Sequence, residues 1–250
     1  MAVIPVPGLP LINPGDDLGQ LLGDAIDAAR VGLKAGDVVA VCQKVVSKAE
    51  GAVVALEEVE ASAFAKHLAA RTESGKDPRA LEVILRETRR IVRMDRGHLI
   101  CETHHGFVCA NAGVDESNGV APGVVTLLPR DPDASAERLR EGLAARFGVT
   151  VATVITDTFG RPWREGLVEV ALGCAGMDPL LDLRGRADLS GRELHHTVVA
   201  LADEVAAAAG LVMEKDSAVA AAIVRGVRFT PGTAGATARL VRKPEFDLFR

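Results

Sequence analysis

The residues best suited to chemistry lie in Ile155-Thr156-Asp157-Thr158-Phe159-Gly160-Arg161-Pro162-Trp163-Arg164. There an apolar run from Val151 to Ile155 stops at a carboxylate and a hydroxyl. Gly160 and Pro162 then call for a turn, and two arginines flank the only tryptophan. Asp157 and Thr158 offer hard oxygen ligands at a strand's end, and the guanidinium groups beyond them suit an anion. A second cluster, Asn111-Ala112-Gly113-Val114-Asp115-Glu116-Ser117-Asn118-Gly119, presents similar oxygens on a glycine-punctuated turn. Together these point to phosphoryl chemistry at a metal site. Asp115, Asp157 and Thr158 are the candidate ligands for Mg²⁺ or Mn²⁺, with nucleotide phosphates completing the shell. Each motif alone has a plainer reading: Asp157 caps a turn, and Asp115 makes an Asx turn before Ser117-Asn118.

Lys48, in Val45-Val46-Ser47-Lys48-Ala49-Glu50-Gly51, falls between two strand-like segments. It is either a point charge for a β- or γ-phosphate or a solvated loop lysine. Arg161 and Arg164 could grip an anionic substrate, or pair with Glu165 and Glu169. Met213-Glu214-Lys215-Asp216-Ser217 is a polar island between apolar segments, an ordinary connection or a phosphate and metal loop. The doublets His104-His105 and His195-His196 lack the spacing of four that sets two ligands on one helix face. They read as structural or solvated, although His104-His105 is close in sequence to the Asp115 cluster. Cys42, Cys101, Cys109 and Cys174 form no Cys-x-x-Cys and read as small buried hydrophobes in a reducing compartment. P-loop, Gly-x-Gly-x-x-Gly and Gly-x-Ser-x-Gly patterns are all missing.

These residues need a scaffold, and 48 % hydrophobic residues in 250 supply a core and exclude disorder. Aromatics at 3 % and a net charge of −5 without a basic tract argue against a nucleic-acid partner. No apolar run is long enough to span a bilayer, and the amino terminus lacks signal-peptide features, so a soluble cytoplasmic protein is expected. Patterning predicts a strand at Ala2–Val6 and a helix from Asp16 or Asp17 to about Leu33. It predicts strands at Val38–Val41 and Ala52–Leu56, and helices over 57–71 and 77–90. Short strands follow at Ile91–Met94, Leu99–Glu102, Phe107–Ala110 and Val124–Leu128. A helix over Ser135–Phe147, capped by Ser135, precedes strands Val151–Thr156 and Val168–Cys174. A long alanine-rich helix is expected from Leu189-Ser190 to Gly210, then a strand at Ala220–Val224 and a tail from Pro244. No linker divides the chain, so residues 1–250 read as one mixed α+β unit of one or two subdomains, pairing antiparallel in the middle third.

Val46-Ser47-Lys48-Ala49-Glu50-Gly51, His105 to Asp115 with Ser117-Asn118, and Thr156 to Arg164 together resemble the coenzyme F-420-0:L-glutamate ligase family. The resemblance runs from Gly8-Leu9-Pro10 to Ile223-Val224-Arg225-Gly226. Some members carry a carboxy-terminal nitroreductase-like domain, and this chain looks like the stand-alone form. The resemblance implies a GTP-dependent amide ligase adding L-glutamate to the lactyl carboxylate of a deazaflavin coenzyme precursor, with further γ-linked glutamates. It implies an α+β fold of mixed, largely antiparallel sheets with flanking helices, in which strands intertwine across a homodimer. Asp115, Asp157 and Thr158 would hold the metal with Glu214 a further ligand, and K⁺ is a possible second cation. Lys48, Asn118 and Gln43 would meet GTP. Leu9, Pro10, Leu11 and Ile12 and the loop Val212, Met213, Glu214, Lys215, Asp216, Ser217 would line the nucleotide site. Arg161 or Arg164 would hold the acceptor or the incoming glutamate. Gly166-Leu167, Glu169, Met213 and Gln43 depart from the family pattern. The alternatives are therefore a paralogous ligase with another acid acceptor, or a non-catalytic GTP-binding protein.

Overall fold

Val38–Val41 and Ala221–Val224 are fully buried, so neither segment can present a face to water, and both take interior positions in one sheet. The computed structural model describes residues 1–71, 75–95, 97–117, 121–233 and 235–248. In chain order the first half comprises β1 (Ala2–Pro5), α1 (Leu18–Ala28), β2 (Val38–Cys42), α2 (Gln43–Ala49), β3 (Val53–Ala55), α3 (Ala63–Arg71), α4 (Pro78–Arg86), β4 (Thr88–Asp95), β5 (His98–Thr103) and β6 (Val108–Ala110). The second half comprises β7 (Val124–Thr126), α5 (Pro132–Phe147), β8 (Ala152–Arg161), β9 (Arg164–Ala175), β10 (Leu181–Asp182), β11 (Val198–Val199), α6 (Leu201–Gly210), β12 (Ala221–Arg225) and α7 (Ala236–Leu240).

The main sheet has strand order β1-β12-β2-β8-β9. Only the β2–β8 pair within it is parallel, with Cys42 opposite Thr156 at its carboxyl end. One face packs on Leu22 and Ile26 of α1 and Leu139 and Leu143 of α5, the other on Val205, Ala206 and Ala209 of α6. A smaller antiparallel sheet β4-β5-β6 and the β3–β7 pair share a further core with α3 and α4. The architecture is thus mixed α+β with mostly antiparallel pairing, as expected.

Several boundaries differ from the patterning. Residues 43–49 form a helix rather than a loop, because Val46 buries against α1 and β2 while Lys44 and Lys48 turn to a different side, partly buried. The helix begun at Asp17 ends at Ala28, since Arg30 and Gly32 take positive φ. In the next stretch a 3-10 turn at Leu56–Glu58 and α3 replace a single helix, and residues 88–90 join β4 instead of α4. Asp131, not Ser135, caps α5, accepting from the Ala134 amide with Pro132 in the first turn. The alanine-rich helix begins at Leu201, not Leu189, because residues 181–199 make a polar hairpin. Asp188 there accepts from the Ser190 and Arg192 amides, which competes with a helix. Strand β8 runs on through Phe159 and Gly160, and the turn falls at Pro162-Trp163, with Trp163 at φ 57°. Helix α7 was not foreseen.

β9 is an edge strand, and carboxylates close part of its open side. Asp203 accepts from the Ala171 amide at 2.9 Å. Asp133 accepts from the Cys174 amide at 2.9 Å and the Ala236 amide at 2.7 Å, and also from Thr237. This one side chain joins α5, β9 and α7.

Candidate active site

The parallel pairing of β2 with β8 ends at Cys42 and Thr156, and a crevice beyond the carboxyl end of such a pair is where parallel sheets bind ligands. A cleft of about 540 Å³ opens there. Its floor is Cys42 from β2 and Asp157 and Thr158 from β8, joined by Glu169 from β9. Lys44 and Lys48, four apart on one face of α2, form one wall. Leu9 to Ile12 and the 213–216 loop form the others. Segments far apart in sequence therefore meet at one place.

Asp115 is fixed from two sides. Its backbone pairs with Thr126 of β7, its amide donating at 3.0 Å and its carbonyl accepting at 2.8 Å. Its carboxylate accepts from the Ser117 amide at 2.7 Å and lies 2.7 Å from the Lys44 ammonium, which donates to Ser117 Oγ at 2.8 Å. Burial pushes the Asp115 carboxyl up, but the Lys44 ammonium and the Ser117 amide outweigh it and hold the group below the usual aspartate range. Asp157 is in the opposite condition. Burial pushes its carboxyl up to about 7, with the charges of Glu169 and Asp115 adding to the rise, while the Thr158 amide and Lys44 oppose it. The two aspartates thus feel one another, with Lys44 acting on both.

Lys48 is partly buried, and burial followed by the neighbouring Lys44 charge lowers its pKa. Among the described residues it joins no ion pair. Thr158 donates from Oγ1 to Glu169 Oε1 at 2.5 Å, while Glu169 Oε2 and Thr156 Oγ1 are buried without a hydrogen-bond partner among the described residues. Gly210 at the end of α6 makes room for this arrangement, since a Cβ there would come within 2.6 Å of Glu169 Cγ.

Not every expected residue reaches the cleft. Gln43 is 1 % exposed and accepts a hydrogen bond from Ser47 Oγ inside α2 instead of lining the cavity. Val212 packs into the core beneath α6, and Ser217 turns back to donate to the Glu214 carbonyl. Glu214 lines the cleft with Met213, Lys215 and Asp216. Arg161 and Arg164 pair across the tip of the β8–β9 hairpin. Four residues of strand separate Arg161 from Asp157, roughly 13 Å. Arg161 donates to the Glu165 carbonyl at 2.5 Å, so neither arginine bears on this cleft, nor does Arg161 pair with a carboxylate as the alternative reading held. Asn118 lies outside the described residues. His104 and His105 bind backbone carbonyls of Arg86 and of Pro129 and Arg130, and His105 stacks on Phe107, so both are structural. All four cysteines are free, and three are buried.

Two residues of the site escaped the sequence reading. Lys44 was hidden because a presumed loop has no helical spacing, whereas on a helix it lies one turn before Lys48. Glu169 was read only as a pairing partner for Arg161 or Arg164 and as a departure from a family pattern, and its contact with Thr158 needs the hairpin register.

Among the described residues no three His, Cys, Asp or Glu side chains converge on one point. Asp115, Asp157 and the Thr158 hydroxyl are hard oxygen donors of the right kind, and the unpartnered buried Glu169 oxygen adds local demand for positive charge. The residues fit a divalent cation.

Comparison with known sequences places this fold and site among acid–amino-acid ligases. The model of the F420-0:Gamma-glutamyl ligase family matches residues 8–226. The coenzyme F420:L-glutamate ligase of Methanopyrus kandleri is 50 % identical, over all of this chain and 98 % of its own length. Those of Methanothermobacter thermautotrophicus and Archaeoglobus fulgidus are 46 % and 42 % identical, over 100 % and 99 % of this chain and 99 % and 96 % of their own lengths. The chain belongs to the F420-0:gamma-glutamyl ligase family. No helix among the described residues is long and apolar enough to cross a membrane.

Proposed function

We propose that this enzyme joins L-glutamate to the lactyl carboxylate of coenzyme F420-0 at the expense of GTP, and can extend the product by γ-linked glutamates. One observation carries the reading. Lys48, an ammonium without a carboxylate partner among the described residues, shares one cleft with a half-buried aspartate that resists ionisation. Each lacks what a phosphate-bound cation and its phosphates would supply.

A carboxylate is a poor electrophile, so it must be activated. Its oxygen attacks the γ-phosphorus of GTP, the bond to the β-phosphate oxygen breaks, and GDP leaves an acyl phosphate. The α-amine of glutamate then attacks the acyl carbon, inorganic phosphate departs, and the amine loses a proton to solvent. Asp115, Asp157 and Thr158 would hold Mg²⁺ or Mn²⁺, and Glu214, which lines the cleft beside Asp157, would join them only by moving closer, since no three such side chains converge among the described residues. When bound, that cation neutralises charge on the transferring group. Lys48 does the same as a point charge, and positioning supplies most of the acceleration. Leu9 to Ile12 and the 213–216 loop flank the nucleotide, while Gln43, Val212 and Ser217 support these walls from behind. Asn118 and a bound K⁺ belong to the same reading.

A homodimer completes the proposal. Beyond Thr158 the β8–β9 hairpin projects with Trp163 83 % and Leu167 59 % exposed, and β4 exposes Val92 and Met94 on another edge strand. Such edges are normally covered. A second copy would also bring Arg161 and Arg164 to substrates that their own cleft does not reach.

Incubation with GTP, Mn²⁺, L-glutamate and the deazaflavin precursor tests the reaction. Mass gain of the coenzyme in glutamate units, with one GDP and one phosphate per addition, is expected. Turnover only with another carboxylic acid, or nucleotide binding without turnover, would refute it.

A further inference from the structure

Lys44 stands where a cation belongs. Its ammonium lies 2.7 Å from Asp115 Oδ2 and 2.8 Å from Ser117 Oγ, and its side chain is only 13 % exposed. It also lines the cleft beside Asp157, whose carboxylate has no ion pair among the described residues. Asp115 does not itself line that cleft, but its charge and that of Asp157 act on one another, and like charges repel unless positive charge sits between them; here a lysine supplies it. Lys48, one helical turn away, occupies the other position and has no such anchor. The two ammonium groups share one face of α2, so a rotamer change moves Lys44 from Asp115 towards an anion held by Lys48 without moving the helix.

The geometry points to Lys44 as a placeholder for the divalent cation: it neutralises Asp115 in the nucleotide-free protein and shifts onto the triphosphate when cation and nucleotide enter together. This rests on the cation and nucleotide reading above and adds a residue with a distinct task. A cation arriving alone must displace an ammonium that then has nowhere favourable to go. A cation arriving with a triphosphate provides the new partner. The two ligands therefore bind cooperatively, and the coupling is reciprocal.

Binding of Mn²⁺, followed by the EPR signal of the free ion, tests this in wild type and in Lys44→Met and Lys44→Gln, with and without a non-hydrolysable GTP analogue. Without nucleotide, both variants should bind Mn²⁺ about tenfold more tightly than wild type, the equivalent of about 1.4 kcal/mol. The tightening of Mn²⁺ binding by the analogue should shrink by a similar factor. Unchanged or weaker binding in the variants would show that Lys44 only ties α2 to the 115–117 turn, and would overturn the inference while leaving the cation site standing. Absence of Mn²⁺ binding to wild type and both variants, even with the analogue, would overturn both. A second measurement needs no variant. Acylation of Lys44 by an amine-reactive ester, read by peptide mass spectrometry against exposed Lys34, should speed up on adding Mn²⁺ alone and slow again with the analogue. A rate that Mn²⁺ leaves unchanged contradicts the placeholder role.

Discussion

Lys48 and Asp157 each give up solvation in the cleft without an ion-pair partner among the described residues. Asp157 makes this measurable. An acid whose pKa rises on folding holds its proton more tightly folded than unfolded. The stability it contributes at low pH is then lost as pH climbs from about 4, its usual value of 3.8, to about 7. Asp157→Asn removes that penalty. The metal-free variant should melt roughly 5 °C higher than wild type at pH 8, with the gap closing towards pH 4, although ligation is abolished. A lower melting temperature at pH 8 would mean that the carboxylate serves the fold. Lys48→Met should lower kcat/KM for GTP by roughly 100-fold or more, as expected when a charge on the transferring group is lost, with stability within about 0.5 kcal/mol of wild type. Calorimetry and steady-state kinetics check both halves. Asp115, Asp157 and Lys48 were legible in the sequence because polar side chains at the ends of apolar runs have no packing reason to be there. Arg161 and Arg164 misled because nearness in sequence equals nearness in space only if the strand stops at Asp157, and β8 continues.

At the scale of elements, the cleft depends on α5 and α6 seating tightly on β9. Gly173 lets the first turn of α5 approach so closely that a Cβ would lie 2.1 Å from the Pro132 carbonyl oxygen, a backbone atom with little freedom to move. Gly173→Ala should therefore cost roughly 1–3 kcal/mol in chemical denaturation. Asp133→Ala strands the Cys174 and Ala236 amides and the Thr237 hydroxyl, and a loss of roughly 2–4 kcal/mol is expected in the same measurement. Strands were the better-read elements, since β2, β8 and β12 are marked by β-branched runs that packing must bury. Helices fared worse where tertiary contacts overrode local pattern. α2 is only seven residues and survives through Val46, while residues 189–200 keep their turns through Asp188 rather than joining the alanine-rich helix. Neither contact can be seen from spacing alone.

For the whole molecule, the proposed homodimer would cover the exposed hairpin. Leu167→Glu puts a charge on its projecting arm, and light scattering should show a shift from dimer towards monomer. An unchanged mass would remove that arm from the interface. The account as a whole stands on Asp115, bridged to Thr126 of β7, and Asp157 on β8 meeting at one cation that also touches a triphosphate. Anomalous diffraction from crystals grown with Mn²⁺ and a non-hydrolysable GTP analogue tests this most directly. The account predicts a manganese peak within coordination distance of both carboxylates and of phosphate oxygens, with Lys44 turned away from Asp115. A manganese and nucleotide bound elsewhere, with Lys44 still paired to Asp115, would contradict it.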